Sequence, residues 1–351
     1  MSTNTKALTI RLLLLAVFLF SIFELKHSLE HVYTILSPLP RTLTAKEVFI
    51  KKILPRITNK KNEFVLKNAP FSIVKHAEAE QTTVEASAYL LADLDTGQII
   101  AGKSAQAKLP IASLTKIMSA VIALDLAQKN DLFAITEKAA TVTPTRIGVV
   151  PGQEMRMEEL VRAMLMTSAN DAAEAVRDGV DRYYQSSVFV DAMNEKARFL
   201  GLASTHFANP QGFDNKKNYS SANDLAILIH YAYENYPFFT ETVKKDYDFL
   251  PENNLHKQFD LPNWNGLIDV YLETVGVKIG NTEEAGMTTA VVSQRGGKRL
   301  LAIVLGAPDI FSRDLAAAEL LNDGYEKTLN LPPATITRSQ LQEKYRSWYK
   351  N

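Results

Sequence analysis

The chain has 351 residues, an ordinary globular composition and no net charge. Its 39 basic residues are balanced by 39 acidic residues, so the total charge gives no sign of a polyanionic partner and no nucleic-acid ligand is expected. The length allows one large domain with shorter appendages. The chain contains no cysteine, which excludes disulfides, thiol catalysis and cysteine metal sites.

The N-terminus has the charge pattern of an export signal. Lys6 and Arg11 precede the apolar run 12–23, and no acidic residue occurs before Glu24. A cleavage site of paired small residues is missing, which favours an uncleaved anchor over a removed signal peptide. We therefore predict a signal anchor over residues 1–25 that holds the protein at the extracytoplasmic face of the cell membrane.

Residues 26–84 are predicted to be a basic spacer. Between Arg41 and Lys67 there are eight basic residues and only two acidic ones, Glu47 and Glu63. Such a segment can rest on anionic lipid or wall polymer, or it can be a solvated linker. The charge pattern favours the linker only slightly, and both interpretations remain open.

The main domain is predicted over residues 85–331, followed by a short tail over 332–351. Apolar runs around a turn at its start predict a hairpin. Periodic patterns predict helices over 114–127, 158–167, 170–178, 188–200, 222–234 and 312–329. Strands are predicted over 274–278, 288–294 and 300–306. Strands at both ends with helices between them indicate an α+β fold, in which an antiparallel sheet is flanked by helices and carries an inserted helical subdomain.

One Ser-x-x-Lys sequence, Ser113-Leu-Thr-Lys116, opens the first predicted helix. Residues i and i+3 share a helix face, so the lysine amine can lie beside the serine hydroxyl and act as its base. The same pattern occurs at Ser72–Lys75 and Ser347–Lys350, and one copy alone is more typical of a capping serine with a solvated lysine.

The sequences around Ser113 and downstream of it distinguish this copy. Ser168-Ala-Asn170 and Lys278-Ile-Gly280 follow in the order of the Ser-x-x-Lys, Ser-x-Asn and Lys-Thr-Gly motifs of penicillin-binding proteins. Further matching segments are Ala92–Gln98, Leu109–Met118, Ser168–Ala173, Asn209–Phe213 and Gly276–Gly286. Over roughly residues 85 to 330 the chain resembles the D-alanyl-D-alanine carboxypeptidase family, the low-molecular-mass penicillin-binding proteins.

The resemblance implies a β-lactamase/DD-peptidase-like fold and a substrate. The substrate is a bacterial peptidoglycan stem peptide ending in D-Ala-D-Ala, β-lactam antibiotics are acylating inhibitors, and neither a cofactor nor a metal is needed. Ser113 is the implied nucleophile, Lys116 its base, and Ser168 the relay that protonates the departing D-alanine.

The resemblance also implies four substrate-binding residues. Asn170 hydrogen-bonds the peptide and steadies the base, and Lys278 attracts the terminal carboxylate. Gly280 lets the strand approach closely because it has no side chain. The backbone N–H of Asn281 forms the oxyanion hole together with that of Ser113.

Ile279 departs from the family pattern, which has threonine or serine between the lysine and the glycine. Isoleucine cannot donate a hydrogen bond to the substrate carboxylate. The loss is worth roughly 1.5–3 kcal/mol, enough to change efficiency or substrate preference but too small to erase the reaction. A non-catalytic or weakly active peptidoglycan-binding homologue therefore remains an alternative. A serine β-lactamase is another, although no motif places the glutamate that such an enzyme needs.

Other catalytic patterns are weak or missing. Ser221-Ala-Asn223 repeats the Ser-x-Asn pattern but opens a helical stretch, which predicts a capping role. The sequence has no Gly-x-Ser-x-Gly elbow, and no histidine belongs to a His-Glu-x-x-His metal motif.

Overall fold

The computed structural model describes residues 44–60, 64–68 and 84–348, together with Ser21 and Glu24. The chain divides into compact units between residues 44 and 45, and the second unit contains the sheet and the motifs. The predicted anchor over 1–25 lies outside the described residues apart from Ser21 and Glu24. Among the described residues, no helix has both the length and the apolar character needed to cross a membrane.

A mixed sheet forms the centre of the second unit, with strand order β1-β3-β2-β10-β9-β8 within the described residues. Its strands are β1 Lys67–Asn68, β2 Ala88–Asp93, β3 Gln98–Lys103, β8 Thr274–Thr282, β9 Gly286–Arg295 and β10 Lys298–Ala307. The short β1 pairs parallel to β3, and all other neighbours are antiparallel. Two small hairpins lie outside this sheet: β4 Leu132–Ala134 with β5 Glu154–Arg156, and β6 Tyr247–Leu250 with β7 Phe259–Pro262.

The helices come mainly between β3 and β8. The α-helices are α1 Ala45–Val48, α2 Leu54–Ile57, α3 Thr115–Leu126, α4 Glu137–Ala140, α5 Met157–Met166, α6 Asn170–Tyr183, α7 Phe189–Phe199, α8 Ala222–Asn235, α9 Pro237–Val243, α10 Ile310–Leu329 and α11 Arg338–Ser347. A π-helical turn, Phe49–Ile53, joins α1 to α2, and a 3₁₀ turn, Ala112–Leu114, precedes α3.

The central strands are covered on both faces, which explains their nearly continuous apolar sequences. Leu91 and Ala302 belong to a core cluster with Ala317 and Leu321 of α10 on one face. Helix α8 packs against β2 and β10 as well. The predicted α+β class, with an antiparallel sheet flanked by helices and a helical subdomain inserted between its strands, is confirmed.

A helical segment at residues 45–57 packs against the domain, within the stretch predicted as a spacer. Ile53 and Ile57 are fully buried, and α2 contacts α3 and α7. Arg56 donates hydrogen bonds to the Leu126 carbonyl at 2.8 Å and to the Tyr184 hydroxyl at 2.5 Å. This segment therefore adds apolar and polar contacts to the helical side of the molecule.

Helix α11 lies in the stretch predicted as a short tail. Thr337 caps it, since the Thr337 hydroxyl accepts from the Gln340 N–H and the Gln340 side chain accepts in return from the Thr337 N–H. Leu341 is fully buried in the core cluster, and Tyr345 packs against that cluster. The last helix is thus stabilised by a capping box and joined to the core by packing.

Candidate active site

Ser113 lies in the 3₁₀ turn that leads into α3, close to the predicted position at a helix start. Its neighbour Ala112 has φ +48°, a left-handed conformation that costs a non-glycine residue of the order of 1–3 kcal/mol. The Ser113 hydroxyl does not cap the helix. Its Oγ lies 2.8 Å from Nζ of Lys116, as the i, i+3 spacing predicts.

The Lys116 amine has three oxygen neighbours and is fully buried. It lies 2.8 Å from Ser113 Oγ, 2.7 Å from Asn170 Oδ1 and 2.6 Å from the Gln211 carbonyl oxygen. A neutral amine has two N–H donors and one lone pair. The amide oxygen and the carbonyl can only accept, so they take the two N–H groups and leave the lone pair for the Ser113 hydroxyl proton.

Asn170 is oriented by the loop that follows α4. Its Nδ2 donates to the Pro144 carbonyl at 2.6 Å, and its backbone N–H donates to the Thr145 carbonyl at 2.8 Å. These bonds fix the amide with Oδ1 toward Lys116. Ser168, two residues earlier in the chain, is buried and has φ +60°, so it is a second strained residue.

Burial is the main cause that holds the pKa of Lys116 well below its ordinary value, and the positive charge of Lys278 adds to it. The negative charge of Asp171 acts in the opposite direction. Asp171 is itself fully buried and accepts from the backbone N–H groups of Ile147, Gly148 and Val149. A lowered pKa favours the neutral amine that a base requires.

Lys278 brings a second buried cation to the site from β8. It is 1% exposed, and its Nζ donates to the Ile279 carbonyl at 3.0 Å. Burial, followed by the charge of Arg313, lowers the pKa of Lys278 to about 7. The charge of Lys278 acts on Lys116 because β8 lies against the turn that contains Ser113.

Gly280 allows β8 to lie directly against Ser113. A Cβ atom built on Gly280 would lie 2.8 Å from the Ser113 backbone nitrogen and 2.6 Å from Thr288 Oγ1, so only glycine fits here. Asn281 follows at an exposed position, and Ile279 is partly exposed. Within the described residues β8 is an edge strand of the sheet, the position at which an extended peptide can add a further strand.

Arg313 and Asp314 form a buried ion pair close to Lys278 that the motifs do not reveal. Arg313 Nε donates to Asp314 Oδ1 at 2.8 Å, and Nη2 donates to the Tyr345 hydroxyl at 2.8 Å. Tyr345 also donates to Asp314. Arg313 has the helical spacing of the buried positions 317, 320, 321 and 324, a signal that marks it as an inward-facing charge.

The Asn209–Phe213 segment is a second contributor, although its residue types predict only a turn. It passes close to the turn that contains Ser113, because a Cβ built on Gly212, whose φ is +90°, would meet the Ala112 carbonyl. The backbone carbonyl of Gln211 contacts Lys116. Every residue type has such a carbonyl, so the sequence gives no sign of this contact.

Ser221 of the competing Ser-x-Asn motif has another role. Ser221 caps α8, with its hydroxyl accepting from the Asp224 N–H at 3.2 Å, so the predicted capping role is confirmed. Ser72 and Lys75 lie outside the described residues, as does Lys350. Ser347 donates to the Lys344 carbonyl at the end of α11.

Comparison with known proteins identifies the family of this chain. A family model described as D-alanyl-D-alanine carboxypeptidase matches residues 75–309. D-alanyl-D-alanine carboxypeptidase DacF of Bacillus subtilis is 33% identical over 250 residues, which cover 69% of this chain and 63% of that protein. DacC of Escherichia coli is 31% identical over 278 residues, or 75% of this chain and 66% of that one. The chain thus spans just under two thirds of the length of these curated relatives.

A solved structure supports the fold independently. The crystal structure of the Streptomyces K15 DD-transpeptidase matches with a TM-score of 0.65 and 26% identity, over 70% of this chain and 99% of that one. The family model covers most of the chain and includes all the motifs that surround Ser113. The chain belongs to the D-alanyl-D-alanine carboxypeptidase family.

Proposed function

We propose that this protein is a serine D-Ala-D-Ala carboxypeptidase that removes the terminal D-alanine of peptidoglycan stem peptides. The observation that carries the proposal is the Lys116 amine, which is buried, has a lowered pKa and lies 2.8 Å from Ser113 Oγ. Its two other neighbours accept hydrogen bonds only, which leaves the lone pair for the serine proton. The family's named relatives support the choice of substrate.

In the acylation step, Ser113 Oγ attacks the carbonyl carbon of the penultimate D-alanine while its proton passes to Lys116. The Ser113 and Asn281 N–H groups stabilise the oxygen that becomes negative. The C–N bond to the last D-alanine then breaks, and Ser168 relays the proton to the departing nitrogen. The acyl group remains as an ester on Ser113.

Deacylation uses the same groups with water as the nucleophile. Water attacks the ester carbonyl, gives its proton to Lys116, and the C–O bond to Ser113 breaks as the proton returns to Oγ. The products are a shortened stem peptide and the free enzyme. An amine in place of water would give transpeptidation, and the similarity to a protein named as a DD-transpeptidase makes this a reaction to test.

The positive charges on β8 and α10 suit a substrate with a free carboxylate. Lys278 and Arg313 are close enough for the charge of Arg313 to lower the pKa of Lys278. A bound carboxylate would offset this repulsion between the two cations. A β-lactam has a carboxylate and a strained amide, so it should acylate Ser113 and remain attached.

The proposal is tested with a fluorescent penicillin and a stem pentapeptide. We expect the folded protein to be labelled on one peptide containing Ser113, as identified by mass spectrometry after digestion. We also expect D-alanine release from the pentapeptide, and expect Ser113→Ala to lose both signals. Labelling of a different residue, or labelling that survives in Ser113→Ala, would contradict the proposal.

The same assay separates the two alternatives. A non-catalytic peptidoglycan-binding protein would bind the pentapeptide without releasing D-alanine. Such a result would agree with the isoleucine at 279, which cannot donate a hydrogen bond to the substrate. A serine β-lactamase would turn over a chromogenic cephalosporin rapidly instead of remaining acylated. Stable acylation with slow turnover is the outcome expected for the carboxypeptidase.

We also propose that the N-terminal segment tethers the enzyme at the outer face of the bacterial cell membrane, where stem peptides are found. The support is the basic and apolar pattern of residues 1–25. Cell fractionation should recover the full chain with membranes and a chain that begins at residue 44 in the soluble fraction. Recovery of both in the same fraction would overturn the tether.

A further inference from the structure

Glu174 is a buried carboxylate on α6, one helical turn after Asn170. It is 4% exposed, and its Oε1 lies 2.6 Å from both Lys138 Nζ and Arg177 Nη2. Its Oε2 accepts from Nε2 of Gln211 at 2.6 Å, another residue that is only 4% exposed. A carboxylate with two cations and an amide donor stays ionised, and its pKa is held below the ordinary value although burial opposes this.

Gln211 connects this carboxylate to the base. Its side chain bonds Glu174, while its backbone carbonyl lies 2.6 Å from Lys116 Nζ. Positions i and i+4 share one helix face, so α6 presents Asn170 and Glu174 toward the same side. One helix therefore fixes both acceptors of the lysine, Asn170 directly and the Gln211 carbonyl through its side chain.

Two further bonds hold the peptide groups on either side of Gln211. Ser119 Oγ donates to the Pro210 carbonyl at 2.7 Å, and the Gly212 N–H donates to Asn209 Oδ1 at 2.7 Å. The Gly212 N–H belongs to the same planar peptide group as the Gln211 carbonyl, so Asn209 restrains this oxygen from the side of Gly212. The bond from the Gln211 side chain to Glu174 adds a second restraint from the other side.

We propose that Glu174 is a positioning residue for the base of the reaction, acting through Gln211 on Lys116. The inference rests on the proposed function, because it assigns a task to a residue of that site. Without the bond to Glu174, the Gln211 carbonyl keeps only the restraint through Asn209 and shifts relative to Lys116, which weakens one of the two acceptors that direct the lysine lone pair to Ser113. A displacement of about 1 Å in such a group can cost around a hundredfold in rate.

The test measures acylation by a fluorescent penicillin at saturating concentrations, which separates the acylation rate from the affinity of the initial complex. Glu174→Ala and Gln211→Met are expected to lower the acylation rate about ten- to a hundredfold, with the affinity little changed. Gln211→Met keeps the side-chain volume and leaves Glu174 paired with both cations. It therefore tests the positioning role even if Glu174→Ala folds poorly. The acylation rate of the double variant is expected to fall no further than that of either single variant, because both substitutions remove the same bond between Gln211 and Glu174.

Asp178→Asn is the matched control. Asp178 lies on the same helix and accepts from Arg177 Nη2 at 2.6 Å and from Thr136 Oγ1 at 2.6 Å, without contacting Gln211. This variant should keep the parental acylation rate. Equal losses in Asp178→Asn and Gln211→Met, or losses that add in the double variant, would overturn the inference. An unreactive parent would refute the proposed function and this inference together, whereas a reactive parent with unchanged variants refutes only the inference.

Discussion

At the scale of one residue, the buried ammonium group of Lys278 lowers the stability of the folded protein. Its pKa of about 7 in the folded protein lies below the ordinary value of 10.5. Between these pH values the unfolded chain binds more protons than the folded one, so the free energy of unfolding rises with pH in this window. Burying the charged form at neutral pH therefore costs stability.

Replacing this lysine should accordingly stabilise the protein while abolishing its activity. We predict that Lys278→Met raises the free energy of unfolding at pH 7 by an amount of the order of a few kcal/mol. The rise in stability from about pH 7 to about pH 10 should become shallower. Urea unfolding at several pH values checks this, and an unchanged slope in the variant would contradict the cost assigned to the buried ammonium.

Ile279 allows the missing hydroxyl to be tested directly. We predict that Ile279→Thr raises the efficiency of D-alanine release about ten- to a hundredfold, which corresponds to about 1.5–3 kcal/mol for a hydrogen bond to a charged group. Ile279→Val is the control, because valine has the shape of threonine without the hydroxyl. Equal gains in the two variants would mean that side-chain size, rather than hydrogen bonding, limits the parent.

Helix α11 is the element through which the C-terminal segment contacts the buried Arg313–Asp314 ion pair. Tyr345 bonds both members of the Arg313–Asp314 pair, and Gly266 leaves the space for its hydroxyl. We predict that Tyr345→Phe destabilises the protein by about 1–3 kcal/mol, because two buried charged groups lose a partner. Thermal unfolding measures the effect, and Tyr183→Phe, at a 64% exposed position, should be neutral.

The helical segment at residues 45–57 offers a matched pair of substitutions, one at a buried and one at an exposed isoleucine, that test its packing. Ile53 is fully buried against the helical subdomain, whereas Ile50 on the same segment is 52% exposed. Ile53→Ala should lower the free energy of unfolding by about 2–5 kcal/mol, and Ile50→Ala should change it by less than about 0.5 kcal/mol. Chemical denaturation of the two variants decides this. Equal, small effects would mean that the segment is not part of the cooperative fold.

The long elements and the catalytic motifs are predictable from the sequence, for physical reasons that differ. Helices such as 222–234 have an apolar face, so periodicity reveals them to within a residue of the observed Ala222–Asn235. Helix α11 escapes such reasoning because Leu341 is its one fully buried residue and Pro332-Pro333 suggests a stop. Its Thr337 and Gln340 capping box is a local signal that could have shown where it begins.

The residues of the candidate site also divide into those that the sequence reveals and those that it does not. Ser113 and Lys116 are linked by local spacing, which the sequence displays, whereas Lys278 reaches them only through the pairing of β8 with the rest of the sheet. The Gln211 carbonyl and the Glu174 carboxylate belong to contacts made by tertiary packing. A backbone acceptor and a residue that acts through another leave no motif, so sequence reasoning had no means of finding them.

At the scale of the whole molecule, the proposed mechanism requires one neutral lysine, Lys116, and one charged lysine, Lys278. Lys116 accepts a proton only when neutral, so activity should rise as the pH increases through its lowered pKa. Lys278 attracts the carboxylate only when protonated, so kcat/KM should fall above about pH 7. We predict a bell-shaped profile for D-alanine release from the pentapeptide.

A modified substrate isolates the alkaline limb of this profile. A pentapeptide whose terminal carboxylate is amidated should react slowly but lose the fall above about pH 7, because Lys278 then has no anion to attract. Measurement of kcat/KM for both peptides across the pH range checks the assignment. The same alkaline fall with both peptides would assign that limb to another group.

The order of strands has a consequence for how the protein matures. Strand β2 near the start of the domain pairs with β10 near its end, and the helical subdomain lies between them in the chain. Contacts of such high sequence separation form slowly, because a long loop must close first. Ser113 is synthesised early, but β8 joins it only after the C-terminal strands have been made. An incomplete nascent chain therefore carries Ser113 without Lys278 and Gly280 beside it, so the proposed reaction should begin only after the whole domain has been synthesised.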